Sequence, residues 1–296
     1  CYSVHTRKLD WMPFDVVIFD EAAQLNIPLA VAAMVRGSKF IFIGDHKQLP
    51  PIISEKQTDK GMARSVFELL YHHAPGIMLD ITYRMNEPIN QFSSGQFYQG
   101  RLVPHSSCAN RRLKVTGSFS LYGEILDPNL PEVLVFHNHS PHTTRSEVEA
   151  EAAAEMASQL LSAGVPASEI AIITPFRAQV RLIKNYLEQK IQIPAELFID
   201  TVERMQGQER EVIIYSMTTS DLKYAQEKAD FLFHPNRFNV AITRAKSKRI
   251  VIASRKLLEV RSSDAFVQHH VDIFRRFYEG ASKRELRIEG VGVGLF

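Results

Sequence analysis

The chain has 296 residues, 45% hydrophobic and 23% charged, with a formal net charge of +2. These values exclude a disordered or low-complexity chain and allow one large or two medium domains, while any attraction for nucleic acid has to be local. Two cysteines, Cys1 and Cys108, give neither a disulfide framework nor a CxxC metal site; with no membrane-length apolar run and no visible signal peptide, the composition fits a cytoplasmic protein without a membrane partner.

Phe14 to Phe19 is a short apolar run that predicts a buried strand ending in Asp20-Glu21. Leu29 to Val35 predicts an apolar helix closed by Gly37, and Lys39 to Ile43 a second buried strand ending at Gly44-Asp45. Strand, helix, strand with chemistry at the strand ends is the pattern of a parallel α/β sheet. Gly61 to His73 predicts a helix, broken by Pro75-Gly76, and a domain boundary falls there. Glu87 to Phe97 predicts another helix, and Val115 to Ile125 a short hairpin.

The same rhythm returns in the second half. Val133 to Phe136, Ile170 to Ile173, Leu197 to Val202, Val212 to Met217 and Arg249 to Ala253 predict strands. Ser146 and Glu149 form a capping box for a helix running to about Ala163. Arg177 to Lys190 predicts a helix with Val180, Ile183 and Leu187 on its inner face. Alternation of this kind predicts a second parallel sheet covered by helices.

Five blocks carry chemistry. An acid such as Asp20 at a strand end can hold Mg²⁺ beside nucleotide phosphates, and a second, Glu21, can orient and deprotonate a water. In Gly44-Asp45-His46-Lys47-Gln48-Leu49-Pro50-Pro51, glycine allows a tight turn, the prolines stiffen the exit, and Gln48 can hydrogen-bond a phosphate or its water. Arg84, in Tyr83-Arg84-Met85, offers a fork suited to phosphate. The polar loop from Thr201 to Arg210, around Gly207, can touch a phosphate backbone or a ribose hydroxyl, and Arg244, after Asn239-Val240-Ala241-Ile242-Thr243, is a second candidate phosphate contact. Each block also has a plainer reading: solvated acids, a polar turn, a surface arginine, a charged loop, a basic turn. His137, His139 and His142 form a turn with no cysteine or acid at metal-motif spacing, and Trp11 reads as core.

Taken in order, FDEAAQ, GDHKQLPPI, TYRMN, ERMQGQE and NVAITRAK resemble motifs II to VI of superfamily 1 helicases. The resemblance runs from about Phe14 to Ala253 and is closest to the up-frameshift type, the group that also holds the motor of the Dna-two nuclease–helicase. The repair-helicase branch fits less well, given the QLPP and YRM blocks and no large insertion between motifs IV and V. The resemblance implies an α/β fold: the remnant of a first RecA-like P-loop NTPase domain over residues 1–77, a complete second RecA-like domain over 78–285, and a tail, 286–296.

It also implies roles. Asp20 is the Mg²⁺ acid, Glu21 the base, Gln48 the γ-phosphate sensor, and Arg84 and Arg244 two arginine fingers. Tyr83 lies near the nucleotide base or sugar, and Gly207 and Glu209 couple nucleotide to nucleic acid. Thr174, Pro175 and the segment around them meet the nucleic-acid backbone, followed by Arg177, Arg181 and Lys184 on one helix face. The implied ligands are ATP, Mg²⁺ and single-stranded DNA or RNA. Two departures bear on fine coupling rather than class: Thr82 stands where the family has Gln, and Glu203 and Met205 where it has Asp and Phe. No GxxxxGK[ST] occurs in the sequence. In the family that loop precedes motif II, so the expectation is a chain that begins after it, inactive alone, lacking the first half of domain 1 and self-associating through exposed apolar surface. The competing reading is a non-catalytic nucleic-acid-binding scaffold on a decayed motor fold, against which the intact acids, Gln48 and arginines count.

Overall fold

A computed structural model describes residues 14–51, 64–139 and 141–286. Cys1, Trp11, Ile52, the first residues of the helix expected from Gly61, and the tail after Leu286 lie outside the described residues. The chain divides at Met78/Leu79 into two compact units.

In the first unit, β1 (Phe14–Phe19) and β2 (Gly37–Phe42) pair in parallel, from Phe14 opposite Gly37 to Phe19 opposite Phe42. The crossover is α1 (Ile27–Met34). Asn26 starts it by accepting a hydrogen bond from the Leu29 N–H (3.1 Å), and Pro28 sits in its first turn, where no donor is needed. A second helix, α2 (Val66–Tyr71), is capped by Ser65, whose hydroxyl also donates to the Ala22 carbonyl. Phe19, Ala22, Ala30, Ala33 and Val66 form a small core. The sequence predicts strands buried on both faces. Among the described residues one face is covered, whereas Val16, Ile18, Ile41 and Ile43 are exposed, Ile18 by 61%.

In the second unit, β3 (Ile81–Thr82) pairs in parallel with β4 (Val103–Pro104), across α3 (Glu87–Phe97); the short helices α4 (Ser106–Ala109) and α5 (Gly123–Leu126) follow. Then come β5 (Glu132–His137), α6 (Glu147–Ser162), β6 (Ile170–Thr174), α7 (Arg177–Glu188), β7 (Phe198–Thr201), α8 (Val202–Met205), β8 (Arg210–Ser216), α9 (Leu222–Glu227), α10 (Ala229–Leu232), α11 (Pro235–Ile242), β9 (Ala245–Ser254), α12 (Ala265–Gly280) and β10 (Lys283–Glu285). The sheet has six strands in the order β10-β5-β9-β8-β6-β7, all parallel. This is the α/β class expected. Alternation within each strand feeds two layers. Val133, Ile172, Ile214 and Ile250 pack with Met156, Leu160, Ile183 and Leu187 of α6 and α7. On the other layer Tyr215 meets Phe238, which stacks edge-on with Phe92, Phe274 and Phe277.

Two local expectations fail for physical reasons. No hairpin forms over 115–125. Thr116 and Gly117 instead donate their N–H groups to the Ala163 carbonyl at the end of α6, and Val115 and Phe119 pack on the core. The capping box is half formed. The Ser146 hydroxyl accepts from the Glu149 N–H, but the Glu149 carboxylate turns inward, and the Ser146 N–H goes to Gln179 Oε1 (2.8 Å).

Candidate functional site

In the first unit, parallel pairing brings the carboxyl ends of β1 and β2 side by side, so the acids Asp20-Glu21 and the turn from Gly44 are neighbours. Ile43 donates its N–H to the Phe19 carbonyl and Ala22 donates to Ile43 (both 2.8 Å). Gly44 is required there, since a Cβ on it would lie 2.9 Å from the Ala23 nitrogen. Glu21 occupies the left-handed region (φ 50°, ψ 39°), which costs a side-chain-bearing residue about 1–2 kcal/mol. Its N–H donates to Asp20 Oδ1 (2.9 Å). Both acids are exposed. Asp45 organises the second turn: Oδ1 accepts from the Lys47 N–H and Oδ2 from Gln48 Nε2, each at 2.9 Å. His46 packs at 4.3 Å on the Tyr71 ring, and burial first, then the Lys47 charge, lowers its pKa.

In the second unit, Arg84 extends from the end of β3. Its Nε donates to Glu209 Oε2 (2.6 Å) and its Nη1 to the Thr243 carbonyl (3.3 Å). Burial raises the Glu209 pKa, but the hydrogen bond and charge of Arg84 outweigh it, so the carboxyl lies below its ordinary range. Gly207, with φ 76° and nothing near its Cβ position, opens the loop that delivers Glu209. Tyr83, 63% exposed, stacks on His105 at 4.5 Å. Arg244 is 2% exposed; its Nε donates to the Val240 carbonyl and its Nη2 to the Thr243 hydroxyl, both at 3.3 Å. A finger must present its fork, so Arg244 would have to turn outward to reach a phosphate.

The expected nucleic-acid residues divide. Thr174 and Pro175, expected in a segment that meets the nucleic-acid backbone, have buried side chains. Thr174 instead hydrogen-bonds the Thr218 hydroxyl (2.9 Å) in an interior network. There Glu149 accepts from His137 Nε2 (3.0 Å), the Ser216 hydroxyl (2.7 Å) and the Thr218 N–H (2.8 Å), and Thr218 is held at φ 70°. Arg177, Arg181 and Lys184 are exposed on α7, and Arg181 and Lys184 line, with Arg145, an open groove of about 320 Å³. His137 thus belongs to the interior, and among the described residues no three His, Cys, Asp or Glu side chains group as metal ligands.

Residues 62–256 match one family model described as an AAA domain, and residues 1–56 match another of the same description. The chain belongs to the AAA domain family, as superfamily 1 helicases of the up-frameshift and Dna-two type carry it. It is 30% identical over 286 residues to the DNA replication ATP-dependent helicase/nuclease dna2 of Schizosaccharomyces pombe, covering 89% of this chain and 20% of that protein. It is 32% identical to the DNA polymerase alpha-associated DNA helicase A of the same organism, covering 92% and 41%. The solved structure of PRRSV helicase is similar at a TM-score of 0.43 and 16% identity, covering 84% of this chain and 37% of that one. The AAA-domain chain thus spans between one fifth and two fifths of the length of these curated relatives.

Several residues that organise the structure of this AAA domain carry no signal that sequence reasoning could use. Asp45 sits inside a quoted block, but its hold on Gln48 is visible only in the turn. Glu149 looks like a helix cap and is the centre of a buried network. His105 lies in no block at all, and its partner Tyr83 is 22 positions away.

Proposed function

We propose that the chain is the motor portion of an ATP-dependent helicase that couples hydrolysis to 5′-to-3′ translocation on single-stranded DNA or RNA and to duplex unwinding. Its first unit is part of one RecA-like domain, and residues from Leu79 form the second. The observation that carries the reading is the convergence of Asp20-Glu21 and Asp45-Gln48 at the carboxyl ends of two adjacent parallel strands, where open α/β sheets place their ligands.

The residues present fit a magnesium nucleotide. Mg²⁺ keeps several waters and takes only one or two carboxylates along with phosphates, and Asp20 is an exposed single acid of that kind. Bound there, Mg²⁺ would neutralise charge on the phosphate oxygens. Glu21 takes the proton of the attacking water. Gln48, steadied by Asp45, reads the γ-phosphate. Arg84 stabilises the charge that develops in transfer, as does Arg244 once turned outward. Gly207 and Glu209 link Arg84 to the loop contacting nucleic acid. Arg177 and Arg181, with Lys184 beside them, hold backbone phosphates without reading sequence. Hydrolysis also needs a phosphate-binding loop, and no GxxxxGK[ST] occurs in this sequence.

ATPase activity of the full-length protein with and without single-stranded DNA or RNA, beside its Glu21→Gln variant, tests this. Removing the base should lower kcat by 10²-fold or more with nucleotide binding retained. A folded wild type that does not hydrolyse ATP, or a variant as active as wild type, overturns the reading.

A further inference from the structure

We propose that His105 is a positioning residue that holds Tyr83 as one face of a platform for the nucleobase of the bound nucleotide. The inference deepens the nucleotide reading above and rests on it.

Tyr83 and Arg84 are consecutive, yet their side chains go to different places. Arg84 reaches Glu209 and the Thr243 carbonyl, whereas the Tyr83 ring lies on His105, centroids 4.5 Å apart and planes 29° apart. A phosphate contact and a planar ring thus leave one short segment toward separate partners, which suits a ligand with a charged tail and an aromatic head. The tyrosine remains largely exposed although it is stacked on one side. An aromatic ring with one face covered and much of its surface open can take a second planar ring by offset stacking.

The imidazole is not a casual neighbour. His105 is the residue before α4, and its Nδ1 accepts from the Ser107 N–H (3.2 Å) and lies 2.9 Å from the Ser107 hydroxyl. That bond fixes the plane of the ring. The backbone on either side is tied together: the His105 N–H donates to the Thr82 carbonyl (2.8 Å), and the buried Cys108 thiol lies within hydrogen-bond reach of the carbonyls of Thr82, Met85 and His105. Both rings therefore stand on one braced piece of chain. Such bracing lowers the entropy that Tyr83 would lose on stacking a base.

The test uses ATP hydrolysis by the full-length protein at saturating single-stranded nucleic acid, with His105→Ala and His105→Phe. Losing the stacked neighbour should raise KM for ATP about 3- to 10-fold with kcat changed less than about 2-fold, and His105→Phe, which restores a ring, should return KM to near wild type. Inorganic tripolyphosphate as a competitive inhibitor carries the phosphates and no base, so its inhibition constant should be the same in all three proteins. KM for ATP unchanged in His105→Ala overturns the proposal, as does equal weakening of ATP and tripolyphosphate, which would mark a general disturbance of the segment. Thermal unfolding checks that His105→Ala is folded; should it not be, a raised KM for ATP in His105→Phe, or the absence of any difference between ATP and tripolyphosphate in Tyr83→Ala, overturns the proposal equally. A wild type without ATPase activity would sink the nucleotide reading itself, a result distinct from all of these.

Discussion

The two units use the same local grammar and reach different degrees of closure. Strand β6 reads IAIIT and every residue is buried; β1 reads FDVVIF and buries Phe19 alone. The difference is not in the strands' hydrophobicity. β6 lies inside a six-stranded sheet with α6 and α7 over one face, whereas β1 has β2 beside it and a small core on one face. A strand apolar on both faces needs cover on both. The comparison teaches that an apolar run reports what a strand requires, while burial depends on what the rest of the molecule supplies.

The largest expected effect follows from that contrast. In the 296-residue chain, Ile214→Ala at a fully buried position of β8 should cost about 2–5 kcal/mol, because it removes packed methylenes and leaves a cavity. Ile18→Ala, at an exposed position of β1, should fall within about 0.5 kcal/mol of wild type. Urea unfolding followed by circular dichroism measures both. A comparable loss at Ile18 would break the comparison and mean that the outer face of β1 is covered in solution, as self-association of the chain through that face would do.

Legibility followed the same line. Elements defined by their own residues were readable. The span of β1 and of α3 matches the apolar run and the helical pattern, and β5, β6 and β8 lie within a residue or two of the expected positions. The stretch 115–125 predicts a hairpin, but Thr116 and Gly117 terminate α6 rather than pair with a second strand. The interior network that draws Thr174 inward depends on Glu149, Ser216 and Thr218, which no spacing connects. Blocks contiguous in sequence could be found; partnerships across 22 residues, like Tyr83 with His105, could not.

A sharper probe of the closed unit is Lys248. It is buried in β9, where its ammonium donates to the carbonyls of Asp127 (3.0 Å) and Leu130 (2.7 Å), and desolvation brings its pKa down to about 7. The unfolded lysine keeps its proton to about 10.5. Between those values the unfolded state binds more protons, so wild-type stability rises with pH; below about 7 both states are charged and the burial cost is felt in full. Lys248→Met lacks this slope. Its stability relative to wild type should therefore fall as pH rises from 7 to 9.5, by up to ~1 kcal/mol per pH unit. Parallel stability curves for the two proteins would show that Lys248 stays protonated among its carbonyls.

The smallest expected effect concerns how readily Arg84 is released. Its bond to Glu209 is short but partly exposed, with the carboxylate side chain 44% accessible, so solvent screening limits the pair to roughly 0.5–1 kcal/mol. Glu209→Gln should cost the second unit no more than that near neutral pH. Because the Glu209 pKa is depressed in the folded chain, the contribution is present above the ordinary carboxylate pKa and fades as pH falls through the lower folded value, so variant and wild type should converge in acid. The functional consequence has the opposite sign. If Arg84 must leave Glu209 to meet a phosphate, loosening the pair should tighten nucleotide binding by the full-length protein about 2- to 5-fold, measured by titration with a non-hydrolysable ATP analogue. Weaker binding in the variant would mean that Glu209 orients Arg84 toward the nucleotide rather than holding it back, and the braced geometry of the second unit would then already be the working one.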